Sequence, residues 1–115
     1  MAEERIFIEA EPFIKNWKNK LKLNDEDLRN LQSYLLNNPG IGDKIEGAGG
    51  LVKLRWRLPN TGKSGGIRIL YIDFADIRIT MLVNCYGKGE KDNITDKEKV
   101  VYKQFVKEIR KELEQ

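Results

Sequence analysis

The amino-acid sequence predicts an α+β fold, an antiparallel sheet with two N-terminal helices and one C-terminal helix. Three observations carry this expectation. Apolar residues recur at helical spacing up to Leu35. From Leu51 the pattern switches to alternation over three runs joined by short links. A capping signature near the end then opens a further helical stripe. Alternating βαβ units are absent, so the three runs should form an antiparallel meander.

Residues Arg5–Glu9 read as a short strand, with Ile6 and Ile8 facing one way and Phe7 the other. Pro12 suits a first helical turn, and Phe13, Trp17 and Leu21 follow at i, i+4 and i+8 as one apolar stripe. Asn24 is placed as an N-cap, with Asp25, Glu26 and Asp27 at the positive end of the helix dipole. Leu28, Leu31 and Leu35 continue that second helix until Asn37-Asn38-Pro39-Gly40 stops it. Five glycines between Pro39 and Gly50 mark a loop. In Leu51–Leu58, Val52, Leu54, Trp56 and Leu58 alternate with Lys53, Arg55 and Arg57, which gives one core face and one face of cations about 6.6 Å apart. A glycine-rich turn over Pro59–Gly66 leads to strands over Ile67–Phe74 and Ile77–Tyr86. Thr95-Asp96-Lys97-Glu98 is a capping box, and Tyr102, Phe105, Ile109 and Leu113 share one face of the helix it opens.

At 115 residues the chain is the size of one domain, expected to span 1–115, and is too short for a large cofactor enzyme. A mean hydropathy of -0.57 with 34% charged residues predicts a soluble globule, expected in the cytoplasm. No stretch approaches the roughly 20 apolar residues of a membrane span, and the opening MAEERIFIEAEPF lacks the order of a signal peptide. The lone cysteine, Cys85, excludes an internal disulfide and a Cys-rich zinc site. Without histidine, any catalysis must proceed without imidazole, and no metal or cofactor is expected.

The net charge of +3 is unevenly distributed. Between Leu51 and Ile72 lie Lys53, Arg55, Arg57, Lys63 and Arg68 with no carboxylate, whereas the rest of the chain holds 16 basic and 18 acidic side chains. Localised charge of this kind fits a polyanion site. Arg68 stands in an otherwise apolar run, where a cation is unfavourable without a counterpart. Two glycine motifs carry no nucleotide chemistry. Gly62-Lys63-Ser64 lacks the P-loop's first glycine, since Arg57 stands there, and leads into a strand. Gly47-Ala48-Gly49-Gly50 lacks the third glycine of a dinucleotide fingerprint, with Val52 in its place.

Three segments together carry a resemblance: Gly49-Gly50-Leu51-Val52-Lys53-Leu54-Arg55, Gly62-Lys63-Ser64-Gly65-Gly66-Ile67-Arg68 with Tyr71, and Tyr86-Gly87-Lys88-Gly89-Glu90. In order and spacing they resemble the RelE/ParE superfamily of bacterial toxins, in particular its HigB-like branch, over nearly the whole chain. The resemblance implies a RelE-like small ribonuclease fold that enters the ribosomal A site, cuts mRNA and is neutralised by a cognate antitoxin, expected to be a helix-turn-helix DNA-binding protein. No membrane is implied. It also implies Lys53, Arg55, Arg68, Tyr86 and Lys88 as catalytic positions, with Lys63 and Arg57 touching backbone phosphate. The pattern departs at Gly89, where other members carry an arginine, and no aromatic follows until Tyr102.

The chemistry of RNA self-cleavage is compatible with this set. The 2′-hydroxyl must lose a proton, the phosphorane-like state must be stabilised and the leaving 5′-oxygen must gain a proton. In a histidine-free chain a lysine of lowered pKa, a tyrosine or a carboxylate must move the protons, while arginine forks suit the phosphate. Tyr86 is the aromatic in reach for stacking or proton transfer. Two other readings stay open at this level: a ParE-like inhibitor of DNA gyrase without nuclease activity, since fold alone does not fix function, and a degenerate member retaining only antitoxin or RNA binding.

Overall fold

The computed structural model describes residues 4–57, 66–87, 89–90 and 93–115. β1 (Ile6–Glu9) runs through Ala10 into α1 (Glu11–Lys15), where Pro12 occupies the first turn. The helix then widens into a π turn over Asn16–Lys20, closed by Leu21 N–H donating to Asn16 O at 2.9 Å. Phe13, Trp17 and Leu21 are all buried through this turn, and the Phe13 and Trp17 rings stack at 5.3 Å. The expected plain α-helix is thus part α and part π.

α2 (Asp25–Asn37) opens on a reciprocal cap. Asp27 N–H donates to Asn24 Oδ1 at 2.8 Å and Asn24 N–H donates to Asp27 Oδ2 at 3.1 Å. The glycine loop that follows is not wholly irregular, because Asp43–Lys44 forms a two-residue strand, β2. β3 (Val52–Trp56), β4 (Ile67–Phe74) and β5 (Ile79–Gly87) form the expected meander, with a 3₁₀ turn at Ala75–Ile77 that starts β5 later than the sequence suggests. α3 (Asp96–Leu113) begins at the capping box, where Glu98 N–H donates to Thr95 Oγ1 and Thr95 N–H donates to Glu98 Oε1. The turn expected over Pro59–Gly66 lies, up to Gly65, outside the described residues.

The sheet order is β1-β5-β4-β3-β2. All pairs are antiparallel except β1 with β5, which is parallel and corrects the expectation of a wholly antiparallel sheet. The reason is the crossover: α1 and α2 carry the chain across one face, from the β1 edge to the β2 edge. Local links set the meander, but nothing local sets the direction of β1.

Each face of the sheet has its own core. Val52, Leu54, Ile67, Ile69, Tyr71, Leu82 and Cys85 pack under Phe13, Trp17, Leu21, Leu31 and Leu35. Leu70, Ile72, Phe74, Met81, Val83 and Tyr86 pack with Val106, against which Tyr102, Phe105, Ile109 and Leu113 are half-buried. A nearly dry ion pair ties the β1 edge to β4. Arg5 grips Asp73 with Nε to Oδ1 at 2.8 Å and Nη2 to Oδ2 at 3.2 Å, and Thr80 Oγ1 donates to the same carboxylate.

Candidate functional site

The β3–β4 register sets Arg55 directly opposite Arg68, and the β4–β5 register sets Arg68 opposite Tyr86. Opposed residues share a face, so Arg55, Arg68 and Tyr86 form one row across three strands spaced about 4.8 Å apart. The next row on that face is Lys53, Leu70 and Asn84, with Asp43 of β2 level with Lys53. Arg55 is exposed, while Lys53 and Arg68 are half-buried. Arg57 is exposed just past the end of β3. Lys63 and Lys88 lie outside the described residues.

A β-bulge delivers Tyr86 to this row. Leu70 pairs with Asn84 but Tyr71 pairs with Leu82, so Val83 is the extra residue. With unbroken alternation, Tyr86 would share the face of Leu82, beneath α1 and α2. The extra residue turns it to the face of Arg68 and α3. Gly66 makes the approach to Arg68 possible. Its φ of +62° and its contact with the Trp56 carbonyl leave no room for a Cβ, so the chain enters β4 close against the end of β3.

Tyr86 is 7% exposed and its Oη is buried without a hydrogen-bond partner among the described residues. Burial raises its pKa; Arg68 pulls the other way, while Tyr102 and Glu98 add to the rise. The phenol therefore holds its proton at neutral pH. Beside it lies a polar cavity of about 190 Å³ lined by Lys20, Asn84, Tyr86, Glu90, Glu98 and Tyr102. Asn84 braces this cavity: its Oδ1 accepts from Asn16 Nδ2 at 2.7 Å and its Nδ2 donates to Tyr102 Oη at 3.3 Å. No cluster of three or more potential carboxylate, thiol or imidazole metal ligands occurs among the described residues. The face presents two guanidinium forks beside a protonated phenol.

The profile of the family described as the RelE toxin of the RelE/RelB toxin-antitoxin system matches residues 4–115. The chain belongs to the RelE toxin family. Solved structures agree at the level of fold. Escherichia coli toxin RelE in the free state, carrying two arginine-to-alanine substitutions, matches with a TM-score of 0.53 at 20% identity, covering 79% of this chain and 88% of that one. A chain of the intact Escherichia coli RelBE toxin-antitoxin complex matches with a TM-score of 0.54 at 22% identity, covering 76% of this chain and 99% of its own. This RelE-family toxin has no helix, among the described residues, long and apolar enough to cross a membrane.

Asn84 and Lys20 carried no sequence signal as site residues, and Glu90 carried one only as the end of the Tyr86–Glu90 motif. Glu98 did carry one, as the second arm of a cap, but its place beside Tyr86 depends on how α3 meets β5.

Proposed function

We propose that this toxin is a ribosome-dependent endoribonuclease of the HigB-like branch, cutting mRNA in the A site and acting in the cytoplasm. The observation that carries the reading is the Arg55–Arg68 pair. Residues directly opposite on neighbouring strands project from the same face, so the two guanidinium forks lie within reach of a single phosphate. In the reaction, the message's 2′-hydroxyl gives its proton to water as its oxygen forms a bond to the adjacent phosphorus and the bond from phosphorus to the 5′-oxygen breaks. Arg55 and Arg68 hold the phosphate and its developing charge, with Lys53 on the same face taking part in that stabilisation. The buried phenol of Tyr86 is a proton source for the leaving 5′-oxygen rather than a base, and its buried ring argues against stacking on a nucleotide. Lys88 belongs to the catalytic set, and Lys63 and Arg57 flank it as phosphate contacts. No metal or cofactor enters this scheme.

In the resting state the exposed Arg55 and Arg57 present a surface suited to an acidic partner, which we assign to a cognate helix-turn-helix antitoxin. The fold shared with a chain of the RelBE complex supports this assignment. Two assays test the whole reading. Purified toxin should cut message on translating ribosomes and leave naked RNA intact at the same concentration. Inhibition of DNA supercoiling without cleavage would replace the reading with a gyrase inhibitor. Copurification from the native operon should recover the antitoxin with the toxin.

A further inference from the structure

The row across β3, β4 and β5 offers a proton donor and no proton acceptor. A guanidinium does not give up its proton and the Tyr86 phenol keeps its own, so none of Arg55, Arg68 and Tyr86 takes the proton of the 2′-hydroxyl. The polar cavity of about 190 Å³ beside Tyr86 brings two carboxylates to the end of the row, Glu90 and Glu98. Asp43, on the same face, stands on β2, at the far edge of the sheet from β5.

The two cavity carboxylates are held differently. Glu90 lies 3.6 Å from Lys20 with its side chain 43% exposed, a surface ion pair. Glu98 is half-buried, its Oε1 accepts the Thr95 N–H at 3.0 Å, and its charge acts on the Tyr86 phenol. Tyr102 follows Glu98 by four residues, so both lie on one side of α3. Its Oη accepts from Asn84 Nδ2 at 3.3 Å and keeps its own hydrogen to donate. A water occupies about 30 Å³ of liquid and settles where it finds two to four polar partners, and the cavity provides both the room and the partners.

We infer that Glu98 is the general base of the cleavage, acting through a water held in this cavity between its carboxylate and Tyr102. The inference rests on the nuclease reading and deepens it. The 2′-hydroxyl proton passes to the water, and a proton of that water passes to the Glu98 carboxylate. As the 2′-oxygen bonds to phosphorus, the bond from phosphorus to the 5′-oxygen breaks and the Tyr86 proton goes to the leaving oxygen. The products are a 2′,3′-cyclic phosphate and a 5′-hydroxyl, with a carboxylic acid on Glu98 and a phenolate on Tyr86. A phenolate is a stronger base than a carboxylate. Because both groups line one cavity, the proton returns from Glu98 to Tyr86 through its water and restores the resting state.

The test uses ribosome-bound messages carrying oxygen or sulfur at the bridging 5′ position of the scissile bond. A thiolate leaves without being protonated, so the sulfur message needs a base and no acid. Glutamine also forms the second arm of the capping box, so Glu98→Gln should melt like the parent while cutting both messages on the order of 10²-fold more slowly. Glu98→Asp keeps the cap, as Asp27 does in α2, and should regain part of that rate. Tyr86→Phe removes a hydroxyl that bonds to no described residue, and should be slow on the oxygen message and near the parental rate on the sulfur one. A folded Glu98→Gln variant at the parental rate on both messages would overturn the inference and leave the nuclease reading standing. A loss confined to the oxygen message would also overturn it, since Glu98 would then act on the leaving group through Tyr86. A parent that cuts neither message on ribosomes would remove the nuclease reading and the inference together.

Discussion

Arg68 illustrates how one residue acquires meaning from its neighbours. In the sequence it is a cation in an apolar run; in the sheet it lies between Arg55 and Tyr86. Replacing Arg68 with alanine should lower cleavage of ribosome-bound message about 10²–10³-fold, with the melting temperature and antitoxin binding retained, as read by primer extension and calorimetry. Arg57→Ala should be mild in the same assay, since Arg57 is exposed beyond the end of β3. Cys85 shows the opposite case, a reactive residue type silenced by its place. Its Sγ contacts the Phe13 carbonyl at 3.7 Å, and burial pushes the thiol up to about 12. Iodoacetamide should leave Cys85 unmodified in the native protein at pH 8 to 9, where an ordinary thiol reacts, and label it on unfolding. The sign for stability follows: the unfolded thiol ionises first, so its contribution is complete below the ordinary thiol pKa and declines as pH rises towards 12. Gly89 is also explained locally. Its φ of +102° suits glycine, so the arginine found at this place in the family pattern would need a different backbone.

At the scale of elements, α3 is fixed at both ends by different means. Its N-terminus carries the Thr95–Glu98 box, and near its C-terminus Arg110 forks onto Asp76 at 3.0 and 3.1 Å, reaches Glu114 at 2.8 Å and lies 5.1 Å over the Phe74 ring. The Asp76 carboxyl is held below the usual carboxylate range, first by its hydrogen bond from Arg110. A lowered folded pKa means stabilisation that is present above the unfolded carboxylate pKa and is lost as pH falls through the folded one. Hydrogen exchange should therefore speed up in the last turns of α3 as the solution is acidified below pH 4, before exchange in β4 changes, and Asp76→Asn should remove that pH dependence. The capping box and the Phe105–Ile109–Leu113 stripe were legible beforehand because both are local patterns. The Arg110–Asp76 contact spans 34 residues and left no trace in the sequence.

For the whole molecule, the long-range clasp of Arg5 on Asp73 closes the sheet at its β1 edge. Side-chain exposures of 5% and 13% make the pair nearly dry, so removing one partner leaves a buried charge uncompensated. Arg5→Ala should destabilise the fold by about 3 kcal/mol, measured by urea unfolding, and Arg5→Ala with Asp73→Asn should recover part of that loss. The same edge shows why charge distribution had to be judged in three dimensions. The stretch from Leu51 to Ile72 stands out as a run, whereas the pairing of Lys20 with Glu90 and of Asn16 with Asn84 exists only because α1 and its π turn lie along β5.

The sequence by itself determined the helices, the three-strand meander and the alternation that separates Val52, Leu54 and Trp56 from Lys53, Arg55 and Arg57. Each is a periodic or capping pattern within a few residues of chain, and such patterns are set by backbone geometry alone. Tertiary structure decided the parallel pairing of β1, the bulge at Val83 that turns Tyr86 towards Arg68, the short strand β2, and the cavity where Asn84, Glu98 and Tyr102 meet. Those features depend on which surfaces bury one another. A single inserted residue reverses the facing of every side chain beyond it, and no local pattern records where packing will place that insertion.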